Sequence, residues 1–129
     1  MSVKLTKHEK GDVIIVSFSG RLTLGEGTHA LRKYIRNLVI GGGSRKILLN
    51  MADVTQIDSS GLGELVVAYT AITNAGGEMK LLSLTKHAHD LLENTKLCTV
   101  FEAFEDEASA VGSYTDSLVG HWQVDRIPY

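Results

Sequence analysis

Along this chain of 129 residues the hydrophobic period keeps changing, from short aliphatic runs to helical spacing and back, with glycine at several of the changes. Val13-Ile14-Ile15-Val16-Ser17-Phe18 is β-branched, short and bounded by Gly11 and Gly20, which predicts a strand. Val3 to His8 alternates weakly and predicts an antiparallel neighbour, with Lys10-Gly11-Asp12 as the turn. From Gly27 to Ile40 the spacing becomes helical. Leu31, Tyr34, Ile35 and Leu38 share one face, Thr28 is a candidate cap, and Gly41-Gly42-Gly43 stops the helix. Arg45 to Asn50 reads as a buried strand, with Val54-Thr55-Gln56-Ile57 as a short bridge after it. Leu62, Leu65, Val66, Tyr69 and Ile72 return to helical spacing, and Ala75-Gly76-Gly77 ends that helix. Glu78 to Leu84 is the next strand, and Thr85 caps a short helix through Glu93 that turns Ala88, Leu91 and Leu92 inward. Thr99-Val100-Phe101 predicts a brief strand. Asp106 to Leu118 places Ala108, Val111, Thr115 and Leu118 on one helical face.

Two strands followed by alternating helices and strands predict an α/β fold whose parallel strands are joined by right-handed crossovers. Few crossovers cannot cover both faces of a large sheet evenly. The expectation is a small mixed β-sheet flanked by about four α-helices, with the helices mostly on one side and the first strand at an edge. The length fits one domain, placed at residues 1–118, with 119–129 as a C-terminal tail that holds the only Trp, Trp122, and the only Pro, Pro128.

Composition narrows the function classes. A hydrophobic share of 43% and a charged share of 22% are those of a soluble globular protein. A net charge of -2 supplies no basic field for nucleic acid or anionic lipid, and Arg32, Lys33 and Arg36 read as a solvated helix face. The one cysteine, Cys98, has apolar neighbours in Leu97 and Val100 and is expected to be a buried, inert thiol. Met1 to His8 lacks the apolar core of a signal peptide. No apolar run approaches the ~20 residues of a membrane span, so a cytoplasmic protein is expected.

The chemically informative stretch is Asp58-Ser59-Ser60-Gly61-Leu62-Gly63, which stands where a strand region gives way to a helix. A helix start leaves backbone N–H groups without helical acceptors and favours negative charge. A serine there can take up phosphate, which adds roughly -1.5 to -2 charges, without opposing the helix. Asp and Ser are also the commonest N-caps, so capping alone accounts for the same residues. The nucleophile-elbow pattern is absent, because Ile57 and Gly61 flank Ser59 where glycines are required. His87 and His89 are two apart and point to different helix faces, a poor metal pair. Gly41-Gly42-Gly43 follows a helix and lacks the Lys-Ser/Thr ending of a phosphate loop. No catalytic residue, metal or cofactor is expected.

Asp58-Ser59-Ser60-Gly61-Leu62-Gly63 resembles the signature loop of STAS domains, specifically of anti-sigma factor antagonists. The resemblance runs over about residues 3 to 117. It includes Phe18-Ser19-Gly20-Arg21-Leu22, Ile47-Leu48-Leu49-Asn50-Met51-Ala52-Asp53-Val54 and Gly76-Gly77-Glu78-Met79-Lys80-Leu81. It implies that Ser59 is phosphorylated by a serine kinase that is itself an anti-sigma factor. The dephosphorylated chain would bind that kinase, phosphorylation would release it, and a phosphatase would reset it. It further implies that Asp58 shapes the loop and contacts the partner, that Ser60 caps the helix, and that Gly61, Leu62 and Gly63 form a flat docking surface. Thr23 joins this partner-binding set, and stands where the family commonly has an acidic residue implicated in phosphorylation. The alternative is a non-switching STAS scaffold module in a larger sensory or regulatory complex. A monomer or weak homodimer is expected, with neither nucleic acid nor membrane as a partner.

Overall fold

Two-residue hairpins with glycine at the first turn position match the twist of paired strands, and Gly11 takes the required positive φ of 62° between Lys10 and Val13. This turn joins β1 (Lys4–Lys10) to β2 (Val13–Leu22) in an antiparallel pair. A computed structural model, describing residues 3–41 and 46–114, then gives α1 (Glu26–Gly41), β3 (Lys46–Ile57), α2 (Ser59–Asn74), β4 (Glu78–Leu82), α3 (Lys86–Asn94), β5 (Ala103–Phe104) and α4 (Glu107–Gly112). The sheet runs in chain order, β1-β2-β3-β4-β5, and every pairing after the first is parallel. The expected small mixed sheet with four helices and β1 at an edge is the architecture found.

Strand alternation sorts the aliphatic residues onto two faces. Ile14, Val16 and Phe18 of β2, with Ile47, Leu49 and Met51 of β3, meet Leu31 and Ile35 of α1, Leu65 and Ile72 of α2 and Leu92 of α3 in the main core. Burying a Leu or Ile side chain contributes about 1.5–3 kcal/mol. Val13, Ile15, Leu48 and Leu82 face the other way and meet Ala110 and Tyr114, so among the described helices it is α4 that crosses to the second face. Lys80 points to this face and is 6% exposed. Its ammonium reaches Glu102 Oε1 at 2.9 Å and Ser113 Oγ at 2.9 Å, and lies 4.6 Å from the Tyr114 ring centroid. A buried lysine needs such partners to remain inside. Tyr114 donates its phenol proton to the Ile47 carbonyl, and burial pushes its pKa well up.

Several sequence expectations are corrected. β3 is one strand of 12 residues that takes in Val54–Ile57, because irregularities between Ser17/Ser19 and Gly20/Arg21 of β2 let the pairing continue. The strand expected at Thr99–Phe101 is a 3₁₀ turn at Leu97–Thr99 followed by β5. Lys96 adopts a positive φ of 66° and redirects the chain there. That turn also faces Cys98 outward, so the thiol is exposed rather than buried. Thr28 lies inside α1, where its hydroxyl accepts from Gly25 N–H and donates to Gly25 O, both at 3.2 Å, and is not the cap. Asp106 caps α4, which buries Ala110 rather than Ala108; the expected continuation to Leu118 lies outside the described residues. The tail at 119–129 also lies outside them.

Candidate functional site

At the end of β3 the chain must turn from strand to helix, and Asp58 makes that turn. Its backbone is extended (φ -120°, ψ -175°), while its carbonyl already accepts the first helical bond from Leu62 N at 2.9 Å. Asp58 Oδ1 accepts from Gly61 N at 2.9 Å, the side-chain bond that defines an N-cap. Oδ2 accepts from Leu24 N at 3.3 Å. One carboxylate thus closes the start of α2 and ties it to the loop after β2. The Gly61 N–H holds the Asp58 pKa below the usual carboxylate range, with the Leu24 and Ser60 N–H groups adding to it against some desolvation. The side chain is therefore anionic at neutral pH. Capping was expected of Ser60. Asp58 does it instead, because α2 begins at Ser59 and Ser60 is already inside the helix.

The glycines of the motif have separate duties. A Cβ on Gly61 would stand 2.0 Å from the Leu22 carbonyl oxygen, so only glycine permits α2 to lie this close to β2. Gly27 repeats the device in α1, where a Cβ would stand 2.0 Å from Arg21 O. Gly63 faces solvent, and a Cβ there would meet nothing within 4 Å. Gly61 and Leu62 are buried, so they support the loop from within. The outward part of the motif is Ser59 and Gly63, with Asp58 and Ser60 half-buried.

Ser59 is the first residue of α2 and is exposed. Its N–H and that of Ser60 have no intrahelical acceptor, and the helix dipole adds positive potential at the same end. In the loop that Asp58 holds through Leu24 N, Thr23 is half-buried and its carbonyl accepts from Thr28 N at 3.3 Å. The next residue, Leu24, is 77% exposed. Leu24, tied to Asp58 through its N–H, and Gly63, one turn along α2, are thus both exposed near the start of α2.

Three contributors escaped sequence reasoning. His87 Nε2 lies 3.2 Å from the Ile57 carbonyl and holds α3 against the residue before Asp58. Glu64, 4% exposed, is gripped by Arg32 through two bonds of 2.8 and 3.1 Å, joining α1 to α2. Leu24 reaches the site through its backbone. Each pairing spans about thirty residues or more, and only a glutamate on the apolar face of a helix hinted at one of them. Among the described residues no group of three or more His, Cys, Asp and Glu is arranged to hold a metal ion, and no helix is long and apolar enough to cross a membrane.

Comparison with known proteins agrees with this geometry. A relative from Paenibacillus polymyxa, named anti-sigma F factor antagonist, is 28% identical over 105 residues, which cover 81% of this chain and 88% of the relative. A candidate anti-sigma factor antagonist of Thermotoga neapolitana is 28% identical over 100 residues, covering 78% and 88% of the two chains. The crystal structure of a candidate anti-sigma factor antagonist from Thermotoga maritima superposes with a TM-score of 0.76 at 26% identity, over 84% of this chain and 92% of that one. The family model for the STAS domain matches residues 4–110. With its sheet order, its glycine-seated helices and its Asp-capped serine loop, this chain belongs to the STAS domain family.

Proposed function

We propose that this chain is an anti-sigma factor antagonist that binds a serine-kinase anti-sigma factor while dephosphorylated and is released when that kinase phosphorylates Ser59. The observation that carries the reading is a division of labour within one loop. Asp58 and Gly61 are locked into the fold, whereas the neighbouring Ser59 is exposed at a helix start. Phosphate on Ser59 would lie where helix N–H groups and the dipole favour an anion, an effect of about 0.3–1 kcal/mol at an exposed site. The fold can therefore carry the modification. A protein docked over Leu24, Ser59 and Gly63 would instead have to desolvate two negative groups side by side, the phosphate and Asp58. In this reading the chain catalyses nothing, works in the cytoplasm as a monomer or weak dimer, and is reset by a separate phosphatase. The names of its relatives support the antagonist role.

The test is intact-mass analysis after incubation with each serine-kinase anti-sigma factor of the source organism and ATP. One phosphate is expected on the wild type and none on Ser59→Ala. Modification that persists in Ser59→Ala would overturn the assignment.

Thr23 favours a second reading, a non-switching scaffold module. A threonine whose backbone is engaged by Thr28 stands where the resemblance calls for a carboxylate. Recovery of a multi-protein complex that ignores Ser59→Asp would support the scaffold.

A further inference from the structure

Two turns beyond Ser59, helices α1 and α2 enclose a groove of about 360 Å³. Its lining includes the small side chains of Ala68 and Ala71 and the larger Ile40 and Val67. Ile40 is 74% and Val67 48% exposed, two of the four large apolar side chains left in water among the described residues. Charge is uneven along the same walls. Within α2 the one charged residue is Glu64, and Arg32 already occupies it. On α1, Arg36 lines the groove and has no described acidic partner, and the exposed Lys33 stands one turn before it outside the lining, so this side of the groove is positive.

We propose that this groove receives an amphipathic helix of the protein partner, its apolar ridge seated over Val67 and Ala68 and its carboxylates facing Arg36 and Lys33. The inference rests on the anti-sigma factor antagonist reading and assigns the partner a second contact beyond the serine loop. Charge complementarity selects the occupant. A second copy of this chain would set Arg36 and Lys33 against positive charge and oppose one concave wall to another. Ser59, Gly63 and Val67 are spaced four residues apart on α2, so they form one exposed stripe from the serine to the groove. A partner covering Ser59 therefore reaches the groove without crossing any other element.

The test uses the full chain with benzoylphenylalanine placed at Val67, or at the exposed Val100 near α3 as a control. Each is mixed with the serine-kinase anti-sigma factors of the source organism. Affinities of Val67→Glu and Arg36→Glu are measured alongside, with thermal melts to show that both variants fold. The expected result is a crosslink from position 67 into a partner helix with apolar and acidic residues, and none from position 100. Both variants should lose about tenfold or more in affinity. Arg36→Glu changes only an exposed charge, so it answers even if Val67→Glu fails to fold. A complex that still responds to Ser59→Asp but keeps its affinity in both variants would overturn the groove and leave the switch standing. A crosslink to a second copy, or to residues 115–129 of this chain, would do the same. Failure of every anti-sigma factor to bind would remove both readings.

Discussion

Helices α1 and α2 start against the same stretch of β2, and they start in different ways. Both use a glycine to approach a β2 carbonyl, Gly27 at Arg21 and Gly61 at Leu22. At α1, Gly25 takes a φ of 116° and the buried Thr28 hydroxyl folds back onto it, so the polar groups of that start satisfy one another. At α2 the cap is a carboxylate that spends one oxygen on its own helix and the other on the loop before α1. The first side chain of α2, Ser59, then has no part in the cap. One start is sealed by its own residues. The other is equally well anchored yet presents a hydroxyl outside the cap, and on the proposed reading that difference makes α2 the place where charge can be added.

The largest effect expected of this comparison is shared by both starts. Gly61→Ala and Gly27→Ala should each destabilise the chain by about 3 kcal/mol or more, because backbone must move to relieve a 2.0 Å approach. Urea unfolding checks this, and a loss below about 1 kcal/mol at either position would mean that the helices are not seated by close approach. Asp58→Ala should cost about 1–2 kcal/mol at neutral pH, the ordinary value of an N-cap. Its pH dependence has a definite sign. The folded pKa lies below the ordinary 3.8, so the contribution is present above that value and fades as pH falls through the folded pKa. The gap between wild type and Asp58→Asn should therefore narrow below about pH 4. Gly63→Ala separates the two glycines of the loop. With open space around it, alanine should stabilise α2 by about 0.5–1 kcal/mol while weakening partner binding, the opposite sign to Gly61→Ala.

Much of this was legible from the chain itself. The changes of period placed β2, α1, α2, β4 and α3, and the Asp58–Gly63 stretch marked the candidate site, because those signals are local. What could not be read depends on partners distant in sequence. Nothing near Gly61 distinguishes it from Gly63; the distinction is made by Leu22, on another strand. The Arg32–Glu64 grip and the His87 contact to Ile57 are non-local in the same way. β5 was displaced, and Cys98 turned outward, by a left-handed Lys96, a conformation that a lysine gives no reason to expect. Ser60 and Asp58 are both good capping residues, and only the backbone angles at the end of β3 decide between them.

The central claim, that a charge at Ser59 spares the fold and removes the partner, is tested most directly by one paired titration. Wild type and Ser59→Asp are titrated with the anti-sigma factor that phosphorylates the wild type, and both are unfolded in urea in the same buffer. The account predicts unfolding free energies within about 0.5 kcal/mol of each other and an affinity lowered by about a hundredfold or more. Equal affinities, or a Ser59→Asp chain that binds weakly because it has unfolded, would contradict it.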